Sequence, residues 1–421
     1  MEYKLITLKN SLRVVLIPLR DAKTATVLLM TGTGSRYENE HENGLAHFLE
    51  HMFFKGTKRR PSARAISQEL DGVGGSYNAF TAKNRTAYYA KVSKEHIETA
   101  LDVVSDIFLH STLPAREREK ERGAIIQEID MYEDMPIRSV ENVFEALLFG
   151  EQHPLGRTIL GPKENIRTFK RKDFFAYLKR CYTAQNTVVC VAGAFPVQKV
   201  LTKIKKDFTS LPKGTHPSYI AYTAAFDTPR IKIKYKNTDQ TQLVLGTLGY
   251  PYNHKDEYVL EVLATILGIG MSSRLFTEVR ERRGLAYFIR ASVERFADTG
   301  YFAVQAGVAH DKLLQALKTV VQELRKIKRG RVPSKELTKA KEHLKGSLAL
   351  SLETSDDLAQ HTATSLTLLG KVQTLEEIQR RIDTVTAGDV MRVARDLFKT
   401  KRLCLAIIGP HNKKKLPSFS L

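Results

Sequence analysis

The feature that most limits the fold of this 421-residue chain is an internal repeat. Residues 74–80 (GGSYNAF) align with 284–290 (GLAYFIR), which sets Tyr77 opposite Tyr287. Residues 96–108 (HIETALDVVSDIF) resemble 312–324 (KLLQALKTVVQEL), and 187–193 (TVVCVAG) have a partner in 402–409 (RLCLAIIG). Three matches in one order argue for two copies of a single structural plan, because shared core composition does not preserve order. A polar, Pro-bearing stretch from 211 to 229 lies between the copies and reads as a linker. The expected fold is α+β: two homologous domains, 1–212 and 230–421, joined by 213–229, each a largely antiparallel sheet packed with helices.

Local patterns fill in the first copy. Two β-rich runs within 4–16 meet at Asn10-Ser11, and 25–30, 76–80 and 86–92 read as further strands. Ile97, Leu101, Val104 and Phe108 recur at helical spacing. A charged helix is expected over 115–132, with Pro136 marking its end, and another over 173–182. Ser62 is placed to cap a helix that Gly72 ends, since glycine tolerates the left-handed conformation there.

Composition narrows the setting. No apolar run reaches the 18 residues that a membrane span needs, and the opening residues read as polar-interrupted strands rather than a secretory leader. Cys181, Cys190 and Cys404 are too scattered for a disulfide framework or a thiolate metal site, so buried thiols in a reducing cytoplasm are expected. The formal net charge of +20 raises acidic partners, nucleic acid among them. The Lys and Arg are spread along the chain, however, and the densest group, Arg325, Lys326, Lys328 and Arg329, has no aromatic RNA-binding signature beside it. A solvated basic surface is the expected reading, without membrane or nucleic-acid partners.

Chemistry concentrates in residues 43–54, NGLAHFLEHMFF. On a helix, His47 and His51 share one face with Glu50 beside them. Neutral imidazole is a preferred zinc ligand, and a carboxylate next to the metal can take a proton from water. His-x-x-Glu-His is the inverse of the His-Glu-x-x-His zinc protease helix. The competing reading is two helix-face histidines salt-bridged to a glutamate. A zinc site also needs a third protein ligand. The 115–132 helix offers Glu128 and, two turns earlier, Glu121, yet spacing alone does not single them out from 46 acidic residues. His41 and His153 have no partner at metal spacing and are expected to be surface or structural. In the second copy, the segment matching the His motif reads LEVLATILG (260–268), without a histidine, and Ser347 falls opposite Glu128.

HFLEH, followed after 76 residues by Glu128 within ERGAIIQEIDMYEDMP, resembles the pitrilysin-type (M16) inverzincin metallopeptidases, which include the mitochondrial processing peptidase. The likeness extends through GGSYNAFTAKNRTAYY, HPLGRTILG (153–161) and SSRLFTEVRERRGLAY (272–287). It implies Zn2+ held by His47, His51 and Glu128, with Glu50 as general base and Glu121 supporting the ligands. It implies that Asn78 and Ala79 pair with the substrate backbone by strand addition. Arg280 and Tyr287 match the family's pair that supports the scissile carbonyl; an arginine and a phenol can donate hydrogen bonds to an oxyanion. The neighbouring Arg282 and Arg283 either steer acidic substrates or are solvated. The activity implied is endopeptidase cleavage of unfolded peptides or small polypeptides within a closed chamber. Because this chain supplies one half of such a chamber, a dimer is implied, homodimer or heterodimer, with the His helix of one subunit facing Arg280 and Tyr287 of the other. A noncatalytic assembly or peptide-binding subunit is the alternative.

Overall fold

A computed structural model describes residues 2–223, 226 and 228–412. The first sheet contains β1 (Lys4–Thr7), β2 (Arg13–Pro18), β3 (Thr24–Thr31), β4 (Ser76–Thr81), β5 (Thr86–Ser93) and β6 (Thr187–Gly193), ordered β1-β2-β6-β3-β5-β4. The second contains β7 (Arg230–Tyr235), β8 (Thr241–Leu248), β9 (Ala286–Arg295), β10 (Gly300–Val308) and β11 (Cys404–Gly409), ordered β7-β11-β8-β10-β9. All pairings are antiparallel except β2 with β6 and β11 with β7. Without β1, the first order maps strand for strand onto the second, parallel pair included. The α+β class and the repeat are thus present in the hydrogen bonding. The aligned segments fall on equivalent strands: β4 and β9 are both edges, and β6 and β11 both lie beside the parallel partner.

In the first sheet, β3 is buried along nearly its whole length, with a continuous apolar run from Val27 to Met30, because both faces are covered. Ala25, Val27 and Leu29 enter one core with Leu45, Phe48 and Leu49, whereas Leu28 and Met30 enter another with Ala359, Ala363 and Leu366. The second group comes from the helix Ser355–Leu369, which packs on β2, β3 and β6 although it lies far along the chain. Conversely, Pro136–Phe149 lays Val140, Phe144 and Leu148 on the second sheet with Val244, Ala303 and Ile408. The compact units are accordingly 1–129 with 157–220 and 350–374, and 130–156 with 221–349 and 375–421. Contiguous halves at 1–212 and 230–421 do not describe these two helices. Sequence order suggests such halves, but each helix follows the sheet face that buries its apolar stripe. The change from the first unit to the second at 220–221 does fall inside the polar stretch 213–229.

Local expectations hold with two refinements. Ser62 accepts the N–H of Ala65 and caps Ala63–Asp71. Gly72 keeps right-handed φ (−61°), and the left-handed turn is made at Gly74 (φ +65°) instead. The charged helix runs Ala115–Asp134, and Pro136 opens the next helix, where its missing N–H costs nothing. All three cysteines are buried and unpaired. Among the described residues, no helix is long and apolar enough to cross a membrane.

Candidate metal centre

The histidine helix, Leu45–Phe53, is anchored by its apolar side: Leu45, Ala46, Phe48, Leu49, Met52 and Phe53 are fully buried. Phe48 meets Phe174 edge to face at 5.0 Å and Phe53 stacks on Tyr88 at 4.6 Å. What remains of the circumference is the narrow face carrying His47, Glu50 and His51. The helix start is fixed by Glu38, whose carboxylate accepts the N–H groups of Gly44 (2.9 Å) and Ala46 (2.6 Å) and the amide of Asn43 (3.2 Å). Gly44 has φ +101°, and a side chain there would strike the Leu160 carbonyl at 2.6 Å. Leu160 and Gly161 therefore brace the entry of this helix by backbone contact.

Against this face lies the glutamate helix, Ala115–Asp134, with Ile125 and Ile129 buried in the same core. Its Glu128 Oε2 stands 3.5 Å from both His47 Nε2 and His51 Nε2. That separation is long for a hydrogen bond. It is the spacing of two donors on one ion, since a tetrahedron with bonds of about 2.1 Å has edges of about 3.4 Å. Among the described residues, this trio is the group whose donor atoms converge for a metal, all within 4.8 Å of one another. Glu121, two turns before Glu128, accepts from His51 Nδ1 at 3.0 Å and pairs with Lys55 Nζ at 2.8 Å. A carboxylate only accepts, so His51 Nδ1 carries a proton, which leaves Nε2 as the nitrogen that faces the site and can bind a metal once its own proton has left.

The electrostatics suit a cation. His51 is buried, which opposes charge, yet Glu121, Glu128 and Glu50 overcome this and raise its pKa to about 9. His47 goes the other way, lowered to about 4 by burial and by the charge of His51. Glu128 is held below its ordinary value by its contact with the His51 ring first, and by the nearby His47. The Glu50 carboxyl is raised, chiefly by burial, although Thr81 Oγ1 donates to its Oε2 at 2.6 Å. Three carboxylates thus gather around two imidazoles, the arrangement that a divalent ion neutralises.

Asn78 and Ala79 lie on β4, the sheet edge; the Ala79 N–H is taken by Asn78 Oδ1 at 2.9 Å. In the second unit, Arg280 lies in the last turn of a short π-helical segment, Phe276–Glu281, its guanidinium 5.7 Å from the ring of Tyr287, which is 73% exposed. Arg282 and Arg283 both pair with Glu278. His41 is exposed, and His153 accepts from the Leu155 N–H and meets Tyr222 edge to face. Sequence reasoning missed Glu38, Lys55 and Thr81, since each acts through a hydrogen bond or ion pair to another segment and leaves no periodic signal.

An insulinase (peptidase family M16) model matches residues 13–163, and a peptidase M16 inactive-domain model matches 168–344. An uncharacterized zinc protease of Bacillus subtilis, YmxG, is 38% identical over 407 residues, covering 97% of this chain and 98% of its own. The chain belongs to peptidase family M16. An uncharacterized zinc protease of Rickettsia felis is 34% identical to this M16 protein over 411 residues, with 97% and 98% covered. A protease from Helicobacter pylori has a crystal structure that superposes on the M16 chain with a TM-score of 0.90 at 28% identity, covering 97% of this chain and 99% of that one. The Pseudomonas fluorescens peptidase M16 inactive domain shares the fold, with a TM-score of 0.89 at 20% identity over 98% and 99% of the two chains. The chain is a short, two-domain M16 member. The inactive-domain match covers much of the second copy, whose equivalent of the histidine helix, Glu257–Gly268, has no histidine.

Proposed function

We propose that this protein is a zinc-dependent endopeptidase acting on unfolded peptides or small polypeptides. The observation that carries this reading is the convergence of His47, His51 and Glu128 on one point, with Glu50 on the same helix face. His47, His51 and Glu128 would hold the zinc, whose Lewis acidity polarises the scissile carbonyl and the attacking water when it is bound. Glu50 takes a proton from that water as the new C–O bond forms, and returns it to the amide nitrogen as the C–N bond breaks. Glu121 holds the His51 tautomer, and Lys55 holds Glu121. A substrate in extended form adds to the β4 edge beside Asn78 and Ala79, so backbone geometry rather than side-chain identity decides what enters.

Arg280 and Tyr287 are the oxyanion donors in this reading, supplied to the site by a second copy of the chain. Their exposure and adjacency support it: two hydrogen-bond donors stand together, with Glu281 no nearer to Arg280 Nε than 3.9 Å.

Glu50→Gln is the direct test. Zinc content should stay at the wild-type level while peptide cleavage falls at least about 100-fold, the low end for removing a general base. Cleavage at the normal rate by the zinc-loaded variant refutes the assignment.

A further inference from the structure

The same β4 strand that carries Asn78 and Ala79 also carries Thr81, and Thr81 reaches Glu50. We propose that Thr81 is a positioning residue: its hydroxyl fixes the Glu50 carboxylate and ties it to the peptide-binding strand. The inference rests on the reading of Glu50 given above.

Strand alternation places the group. Tyr77 and Ala79 pack against the core that contains the histidine helix, while Phe80 packs against the opposite core. Thr81, two residues beyond Ala79, therefore shares the helix-facing side. Pairing of β4 with β5, Ala79 with Tyr88 and Thr81 with Thr86, fixes this register; a one-residue slip would turn Thr81 to the other face. Oγ1 donates to Glu50 Oε2 at 2.6 Å, the short distance of a hydroxyl on a carboxylate.

The consequence for the chemistry is an asymmetry between two otherwise equivalent oxygens. Oε2 is held, and among the described residues no side chain or backbone group is hydrogen-bonded to Oε1. A glutamate has several rotatable bonds, and without an anchor its carboxylate would sample several directions. With Oε2 anchored, Oε1 is presented in one direction for the proton transfer. Threonine suits this role because its β-branched side chain has few χ1 states on a strand. Since the anchor sits two residues from Ala79, a peptide that adds to the β4 edge stiffens the element that orients the base. Binding and base orientation are thereby linked through one short strand.

The test compares Thr81→Val, which keeps shape and β-propensity but removes the hydroxyl, with Thr81→Ser, which restores it. Three quantities are measured for each purified full-length variant: zinc per chain, and kcat and KM on a quenched fluorescent peptide. Thr81→Val is expected to keep wild-type zinc content and a KM within about 2-fold, while kcat falls about 10- to 100-fold, the range for losing one hydrogen bond to a charged group. Thr81→Ser is expected to recover most of kcat. The inference is overturned if Thr81→Val keeps full kcat, if Thr81→Ser is as impaired as Thr81→Val, or if zinc and KM are lost together with kcat. Glu50→Gln is assayed alongside: an active Glu50→Gln refutes the peptidase reading itself, whereas a dead Glu50→Gln beside a fully active Thr81→Val refutes only the role of Thr81.

Discussion

Single side chains around His51 act in series. Lys55 Nζ holds one oxygen of Glu121, and the other accepts from His51 Nδ1. Removing the charge in the middle should loosen the ring and lower its basicity. Glu121→Gln is expected to weaken zinc binding about 10- to 100-fold, the usual effect of losing such a support. Competition against a chelator of known affinity measures this directly, and an unchanged affinity would show that Glu121 does not support the ligand. How much of the site could be read in the sequence follows from the same chemistry. His47, Glu50 and His51 were legible because helical spacing alone puts them on one face. Glu128 and Glu121 were reachable only through family resemblance, since 76 residues separate His51 from Glu128 and any of many glutamates fits the composition. Thr81 and Lys55 left no trace, because neither the register of β4 nor the side-chain reach between elements is written in a local pattern.

At the scale of the element, the histidine helix depends on a carboxylate outside it. Glu38 is 2% exposed, and burial raises its pKa to about 7 despite three hydrogen bonds that favour the anion. A folded value above the ordinary 4.5 means that the stabilisation linked to this group is complete below about pH 4.5 and is lost as pH rises through about 7. The linked change is about 3 kcal/mol at 1.36 kcal/mol per unit. Glu38→Gln removes the titration while keeping an acceptor. Thermal melts of the two proteins should therefore differ in slope: wild-type stability falls relative to the variant between pH 4.5 and 7. Parallel curves would mean that the Glu38 pKa is the same folded and unfolded. The fold elements themselves were largely readable, because β-strands and amphipathic helices announce themselves by period. Caps such as Glu38 were not, lying six and eight residues before the N–H groups they satisfy.

For the whole molecule, the assignment of Arg280 and Tyr287 to a second copy gives a sharp experiment. A Glu50→Gln chain and an Arg280→Ala/Tyr287→Phe chain, each inactive alone, should regain part of the activity when mixed under conditions that allow subunit exchange. A mixed dimer would contain one site with all its groups. No recovery despite demonstrated exchange would remove the second copy from the mechanism. The repeat explains why the sequence revealed two similar sheets, and also why it misled about their covering helices. Pro136–Phe149 and Ser355–Leu369 each have an apolar stripe, and a stripe alone does not say which sheet it covers.

That exchange of helices bears on how the chain is made. The face of the first sheet formed by Val15, Ile17, Leu28, Met30, Val188 and Cys190 waits for Ala359, Ala363 and Leu366. On the ribosome these strands emerge well before their cover, with more than 150 residues still to be translated after β6. Through that interval the nascent chain carries a bare apolar surface of the kind that holding chaperones recognise. The half of the protein that bears the histidine helix is therefore among the last parts to be finished, although it is among the first to be synthesised.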